Sequence, residues 1–407
     1  MFLNTFRSLK NRNYALWFSG ALVSNVGTWM QRTAQDWLVL TELTDHNASA
    51  VGLTMALQFG PQILCLPWTG AVADYFDRKK LLFFTQAIMG LQAAILAALT
   101  LSGTVELWHV YVLAFMLGCT TAFDAPARHT FAADLAGDKD LPNAVALNSA
   151  SFNAARMVGP AVAGISIAAI GTGWSFFANA ISFLAILAGL AMVDDSALPR
   201  RDRSKKLRGG LADGMRYIWQ RDDLRTNIVM MFFIGTFGFN FPIYISTISV
   251  KAFSAGASTY GILTSCLAVG TVTGALLTAA REKPGMIHLV FGAAGFGTAS
   301  LTATLMPGPI SFGLALVALG VFAMTITTTS TAMIQLSTEP SMRGRVIAIR
   351  MAISMGGTPI GAPIAGFIAD QFGPRWSMGL AVLAGYAALG FALAHMARQK
   401  RLPQPRL

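Results

Sequence analysis

Charge is scarce in this chain. Only 12% of its 407 residues are Asp, Glu, Lys or Arg, about half the ~25% of an ordinary soluble domain. Hydrophobic residues make up 54% and the mean hydropathy is +0.55, so a water-solvated core could not hide the apolar surface and lipid must be the solvent for much of it. Cysteine is nearly absent: Cys65, Cys119 and Cys266 all lie in apolar runs, with no CxxC or Cys/His cluster. That excludes a disulfide framework and a zinc site, and leaves the three thiols as packing. No GxxxxGK[ST] is present, which excludes a P-loop nucleotide site. HExxH, a paired His/carboxylate cluster and a nucleophile–base pair are also missing, so no metal, no cofactor and no enzymatic activity is expected. GAAGFG (292–297) imitates a dinucleotide fingerprint, but no strand precedes it and it reads as helix packing. The net charge of +11 does not point to nucleic acid, because the basic residues fall in short gaps between apolar runs.

Those runs are what the chain has in abundance. Twelve approach the ~20 residues that cross a bilayer. They lie at roughly 14–41, 50–73, 80–101, 106–125, 145–170, 174–193, 226–250, 257–280, 286–306, 310–334, 346–369 and 375–396. The first begins in FRSLKNRNYALWF and stays apolar for too long to be a cleaved signal, so it reads as a retained span. The expected fold class is an all-α membrane protein of twelve transmembrane helices in two parallel six-helix bundles. Residues 1–193 form the first bundle, 194–225 a basic cytoplasmic linker, and 226–407 the second bundle with a short tail. Within the linker, GLADGMRYIWQRDDLRTNI has the pattern of an amphipathic helix, either lying on the membrane surface or solvated as a connector.

Orientation follows from the basic residues. With the N-terminus in the cytoplasm, that side receives Arg7, Lys10, Arg12, Arg78, Lys79, Lys80, Arg128, Lys139, the linker, Arg281, Lys283, Arg343, Arg345, Arg350 and the tail. The opposite side receives Lys251 and Arg375, and both termini are cytoplasmic. The halves also repeat. At an offset of 202 residues LPNAVALN (141–148) falls on RGRVIAIR (343–350). At the same offset Gly159, Gly164, Gly171 and Trp174 fall on Gly361, Gly366, Gly373 and Trp376. Parallel repeats of this kind are one architectural plan of secondary transporters.

Between the second and third runs stands GAVADYFDRKK (70–80). It resembles the loop signature of the major facilitator superfamily, a Gly, an Asp four residues on and a basic cluster. Asp77 stands where that family has Gly, and the second-half equivalent GALLTAAREKPG (274–285) lacks the Asp. FDAPARHTFAADL (123–135), LPNAVALN, NAARMVGPAVAG (153–164) and SMRGRVIAI (341–349) narrow the resemblance to the branch holding the enterobactin exporter and related drug efflux proteins, over essentially the whole chain. The resemblance implies a cytoplasmic gate of Gly70, Asp74, Arg78 and Asp124; a purely topological role for Arg78 is the alternative. It also implies that the first, fourth, seventh and tenth helices line a substrate cavity. The side chains expected there are Asn25, Trp29, Gln35, Tyr111, Phe115, Asn153, Asn240, Tyr244 and Thr328, each of which also suits plain packing. Gly159, Pro160 and Gly164 resemble the fifth-helix motif of proton-coupled antiporters, with Pro160 inviting a bend.

Charges inside the runs complete the picture. Asn25, Trp29, Arg32 and Asp36 recur at helical spacing on one face, with Gln31 and Gln35 beside them. Such a stripe is costly against lipid and should face the interior. Arg32 and Asp36 are spaced to pair, with Asp36 in the outer third within reach of external water. Arg156, ~16 Å into the fifth run, needs a polar cavity or a partner. A proton-coupled carrier needs a carboxylate whose proton affinity follows its surroundings, and burial and a neighbouring guanidinium act on it in opposite senses. Asp36 is therefore the expected proton carrier, modulated by Arg32 or Arg156; simple neutralisation of Arg32 is the alternative reading. The expected function is secondary active export of small amphipathic molecules, drug-like or siderophore-like, by proton antiport with alternating access from a bacterial inner membrane. The expected partners are a small-molecule substrate, protons and the lipid bilayer, with the chain a monomer. A lipid or lysolipid transporter of the same fold, and a non-transporting membrane scaffold, remain open alternatives.

Overall fold

In lipid no water satisfies the backbone, so each apolar run must close its own hydrogen bonds as a helix. The computed structural model describes residues 7–65, 68–69, 72, 75–194, 211–279 and 285–401, and among the described residues there are helices and no strands. Gly70, Asp74 and the linker segment 195–210 lie outside the described residues.

The spans run in order as Arg12–Thr41, Ala48–Leu64, Arg78–Leu101, then a helical stretch Leu107–Met192 broken at Gly137 and Gly171, followed by Asp222–Ala252, Ala257–Ala279, Met286–Leu305, Pro309–Ser337, Pro340–Gly356 with Thr358–Gln371, and Pro374–Arg401. Nine stretches of the described residues are long and apolar enough to cross a membrane. Ala150–Met192 is one of them, and its 43 residues are about twice the length a bilayer needs. It breaks at Gly171 and so supplies the fifth and sixth spans. Arg12–Thr41 falls short in hydropathy because it carries the polar stripe, and Ala48–Leu64 has 17 residues. With these the helices number twelve.

The turns show the repeat. Gly171 has φ +84° and Gly373 φ +102°, left-handed backbone that a residue with a Cβ adopts only under strain. Each is followed by a helix that carries the paired Trp174 or Trp376 in its first turn. Within Leu107–Met192 the non-helical dihedrals are at Gly137 and Gly171. The bend expected at Gly159, Pro160 and Gly164 therefore involves no break in helical dihedrals. Gly159 has another role: a Cβ there would lie 2.5 Å from Trp29 Cβ and 2.9 Å from Met30 N. Its absence brings the fifth span against the first, as small residues do in membrane bundles. Its partner Gly361 brings the eleventh span against Thr236 and Asn240 of the seventh in the same way.

The contacts divide the chain into two compact units, residues 1–45 with 57–206 and residues 46–56 with 207–407. In the first, Tyr14, Trp17, Leu82, Phe131, Leu135, Leu147 and Phe183 form a continuous apolar core. The N-terminus is tied to it, since Tyr14 Oη donates to Ala144 O at 2.9 Å and Asn11 Nδ2 to Leu135 O at 2.8 Å. In the second unit the eighth and tenth spans meet through Gly270, Gly274 and Gly320. The linker helix, Leu211–Gln220, packs one face against the second unit and leaves Met215 and Trp219 exposed on it. Ile218 is buried among Leu224, Ile228, Ile334, Val346 and Ile349. Arg221 anchors its end on Asp223 and on Ser337 O.

Candidate functional site

The stripe on the first span is buried, as its polar composition demands. Asn25, Gln31, Arg32, Gln35 and Asp36 are 5%, 5%, 8%, 1% and 3% exposed. Arg32 and Asp36 do not form the expected ion pair. The Arg32 guanidinium instead lies 5.0 Å from the Trp29 ring centre and 4.8 Å from that of Phe59. Aromatic faces hold it, each contact contributing on the order of 0.5–2 kcal/mol. Its Nε and the Asp36 Oδ1 are buried without hydrogen-bond partners, as is Gln35 Nε2. Asp36 is thus closed off, and the external water access expected for it is not present in this conformation. Gln31 accepts from Asn179 Nδ2 at 2.6 Å, fixing the stripe against the sixth span.

Trp29 is the hub of this region. Arg156 sits over the same ring at 5.6 Å, and Phe152 meets it edge-on at 5.9 Å. Among the described residues Arg156 pairs with no carboxylate, and its side chain is exposed in the isolated chain. Two guanidiniums therefore flank one indole, with Asp36 the nearest acid along the first span.

A second polar centre lies deeper toward the other end of the same bundle. Asp124, 2% exposed, accepts from Thr85 Oγ1 at 2.8 Å and Gln86 Nε2 at 2.7 Å on one oxygen, and from Arg128 Nε at 3.0 Å and Nη2 at 2.7 Å on the other. Arg128 also donates to Asn25 Oδ1. Asn25 thus ties the first span to the fourth through its Oδ1, while its buried Nδ2 has no partner. Arg128, assigned above only to the cytoplasmic side, is embedded in the helix. Arg78 does not meet Asp124. It pairs with Asp134 at 2.5 Å and donates to Thr130 O at 3.3 Å. Asp134 lies ten residues further along the fourth span, ~15 Å nearer its end, where Arg78 at the start of the third span can reach it. Asp74, the remaining member of the implied gate, is outside the described residues, as is Gly70.

Of the other cavity residues, Tyr111 and Thr328 are half-buried and Phe115 is exposed. Asn240 and Tyr244 are fully buried, so neither presents surface to a substrate here. They stitch the seventh span across its π-helical turn Ile234–Gly238, with Asn240 Nδ2 donating to Thr236 O and Tyr244 Oη to Phe237 O. The side chain of Asn153 is outside the described set.

Sequence reasoning passed over two features of the second unit. Asp370 accepts from Ala48 N, Ser49 N, Ser49 Oγ and Lys251 Nζ at 2.6–2.9 Å, capping the second span. Arg350, assigned above only to the cytoplasmic side, is 4% exposed in the eleventh span beside Ser330, Thr327 and Met231. The repeat alignment, which sets it over the polar Asn148, was the available signal for Arg350.

The architecture has close counterparts among solved transporters. A bacterial homologue of the human lysosomal transporter Spinster, inward-facing and unoccupied, superposes with a TM-score of 0.72 at 15% identity over 97% of this chain and 99% of that one. A D-xylose–proton symporter gives 0.71 at 15% identity over 94% and 97%. Twelve helices in this arrangement, together with a family-model match over nearly the whole chain, define a multi-pass transporter of the major facilitator superfamily. Such proteins are not enzymes. Within that class, residues 3–405 match the family model described as transmembrane secretion effector, and the chain belongs to this family. It is 26% identical to the staphyloferrin A transporter of Staphylococcus aureus over 88% of this chain and 89% of that protein. It is 26% identical to the multidrug efflux pump Tap of Mycolicibacterium fortuitum, over 87% and 88%. With the enterobactin exporter EntS of Salmonella typhimurium it shares 23%, over 83% and 81%.

Proposed function

We propose that the protein exports small amphipathic molecules, drug-like or siderophore-like, across a bacterial inner membrane by proton antiport with alternating access. It acts as a monomer with both termini cytoplasmic. The names of its relatives, a siderophore transporter, a multidrug pump and a siderophore exporter, support this cargo class. The observation that carries the coupling is the contrast between two buried acids. Asp124 accepts four hydrogen bonds, two of them from the Arg128 guanidinium, and so sits in a closed network. Asp36 has an oxygen with no donor at all, and the nearby Arg32 is turned onto aromatic rings. A carboxylate so placed gains or loses a proton without dismantling a network. Proton binding then shifts the balance of conformations if the site differs between them.

Trp29, with Tyr111, Phe115 and Thr328, supplies the cargo surface, while Arg156 and Arg32 set the charge around Asp36. Arg78 with Asp134 serves as a cytoplasmic closure in place of the pairing with Asp124. The test is efflux of ethidium from proteoliposomes under an imposed pH gradient. Asp36→Asn should abolish gradient-driven accumulation while leaving dye equilibration along its own gradient. Full gradient-driven transport by that variant, or transport by the parent that survives collapse of the gradient with a protonophore, would sink the coupling assignment.

A further inference from the structure

The repeat permits a comparison of the two units residue by residue. At the 202-residue offset Asn25 corresponds to Asn227, Asp124 to Ile326, Arg128 to Ser330 and Asn148 to Arg350. The contacts follow the same scheme. In the first unit Arg128 of the fourth span binds Asn25 of the first. In the second, Ser330 of the tenth span donates to Asn227 Oδ1 of the seventh at 2.6 Å, and Asn227 Nδ2 returns a bond to Ser330 O at 3.2 Å. The guanidinium lost from the tenth span is replaced by one from the eleventh: Arg350 Nε donates to Ser330 Oγ at 2.8 Å. Both units therefore link an arginine to an Asn on the leading helix, directly in the first and through Ser330 in the second.

They differ in the counter-charge. Arg128 has Asp124 at 2.7 Å. In the second unit Ile326, fully buried, stands in place of that acid. Arg350 is left with neutral acceptors, Ser330 Oγ, Thr327 O at 2.8 Å and the Met231 sulfur at 3.9 Å. No carboxylate among the described residues pairs with it. Its Nη1 makes no hydrogen bond and yet is not among the fully enclosed unpartnered atoms. One helical turn on, Ser354 Oγ is buried without a partner, and so is Thr329 Oγ1 beside Ser330. A buried cation lacking its anion is costly in a bilayer, and here one of its nitrogens is left unbonded.

We propose that Arg350, supported by Ser330 and Asn227, binds a compact oxyanion, the carboxylate of an acidic amphipathic cargo, and so gives the transporter a preference for organic acids over their neutral counterparts. This rests on the exporter reading above for its cargo. Arg350 supplies a charge-assisted pair through its free nitrogen, Ser330 and Asn227 hold the guanidinium plane, and Ile326 keeps a resident acid from competing.

The experiment measures equilibrium binding of 1-pyrenebutyrate, 1-pyrenebutanol and 1-pyrenebutyl-trimethylammonium to the full chain in phosphatidylcholine nanodiscs. The parent should bind the carboxylate about tenfold or more tightly than the alcohol. Arg350→Gln should lose that preference while binding the alcohol as the parent does, which also shows that the variant is folded; Arg350→Lys should keep part of it. Equal binding of acid and alcohol by the parent would overturn the proposal, as would a full preference retained in Arg350→Gln. Suppression of the carboxylate preference by added phosphatidylglycerol in the parent would assign the oxyanion to a lipid headgroup and overturn the cargo assignment. Since no transport is required, failure of the proton-driven efflux assay alongside an Arg350-dependent preference would overturn only the exporter reading.

Discussion

Asp124→Asn removes the charge of a buried acid that accepts four hydrogen bonds, and its cost can be worked out bond by bond. The carboxylate receives Thr85 and Gln86 on Oδ1 and two Arg128 nitrogens on Oδ2. An asparagine must put its NH2 in one of those two places. Facing Arg128, it opposes two N–H donors that cannot reverse. Facing the other pair, it opposes the Gln86 amide, although the Thr85 hydroxyl can turn to accept. Either orientation loses at least one buried hydrogen bond, about 1–3 kcal/mol, and leaves Arg128, 15% exposed, without its counter-charge. Removing one partner of a buried pair costs about 3–5 kcal/mol in all. Equilibrium denaturant unfolding in lipid–detergent micelles should report a loss of this size. The double variant Asp124→Asn/Arg128→Gln should lose clearly less than the sum of the two single changes, because the stranded cation is gone. A single variant within about 1 kcal/mol of the parent, or an additive double, would refute the argument that this pair is desolvated and coupled.

Two further expectations concern the second unit. A Cβ at Gly270 would lie 2.0 Å from Val317 O, so Gly270→Ala must separate the eighth and tenth spans and should cost about 1–3 kcal/mol. Gly379, with nothing within 4 Å of its Cβ position, should accept Ala without loss, and equal stability of the two variants in the same unfolding measurement would contradict the packing. Asp370→Ala strips the cap from Ala48 and Ser49 and frees Lys251. It should lower stability by about 1–3 kcal/mol and speed amide exchange in residues 48–52 by mass spectrometry, with unchanged exchange there counting against the cap.

The sequence alone determined the solvent, the number of spans and the repeat. These are properties of composition and period: apolar runs of bilayer length must be helices, and a glycine turn followed by tryptophan recurs 202 residues on. It also marked the stripe of Asn25, Trp29, Arg32 and Asp36, because four polar or amphipathic residues at helical spacing are visible without coordinates. Tertiary structure decided what each charge touches. Spacing permitted an Arg32–Asp36 pair, but Phe59 of the second span and the Trp29 ring offered the guanidinium another seat. Arg78 could reach any acid on the fourth span until the start of the third was placed beside Asp134. Arg128 and Arg350 read from the sequence only as cytoplasmic-side charges, because each stands near the end of an apolar run. Only packing against the first and seventh spans shows that they lie inside, one with an acid beside it and the other without.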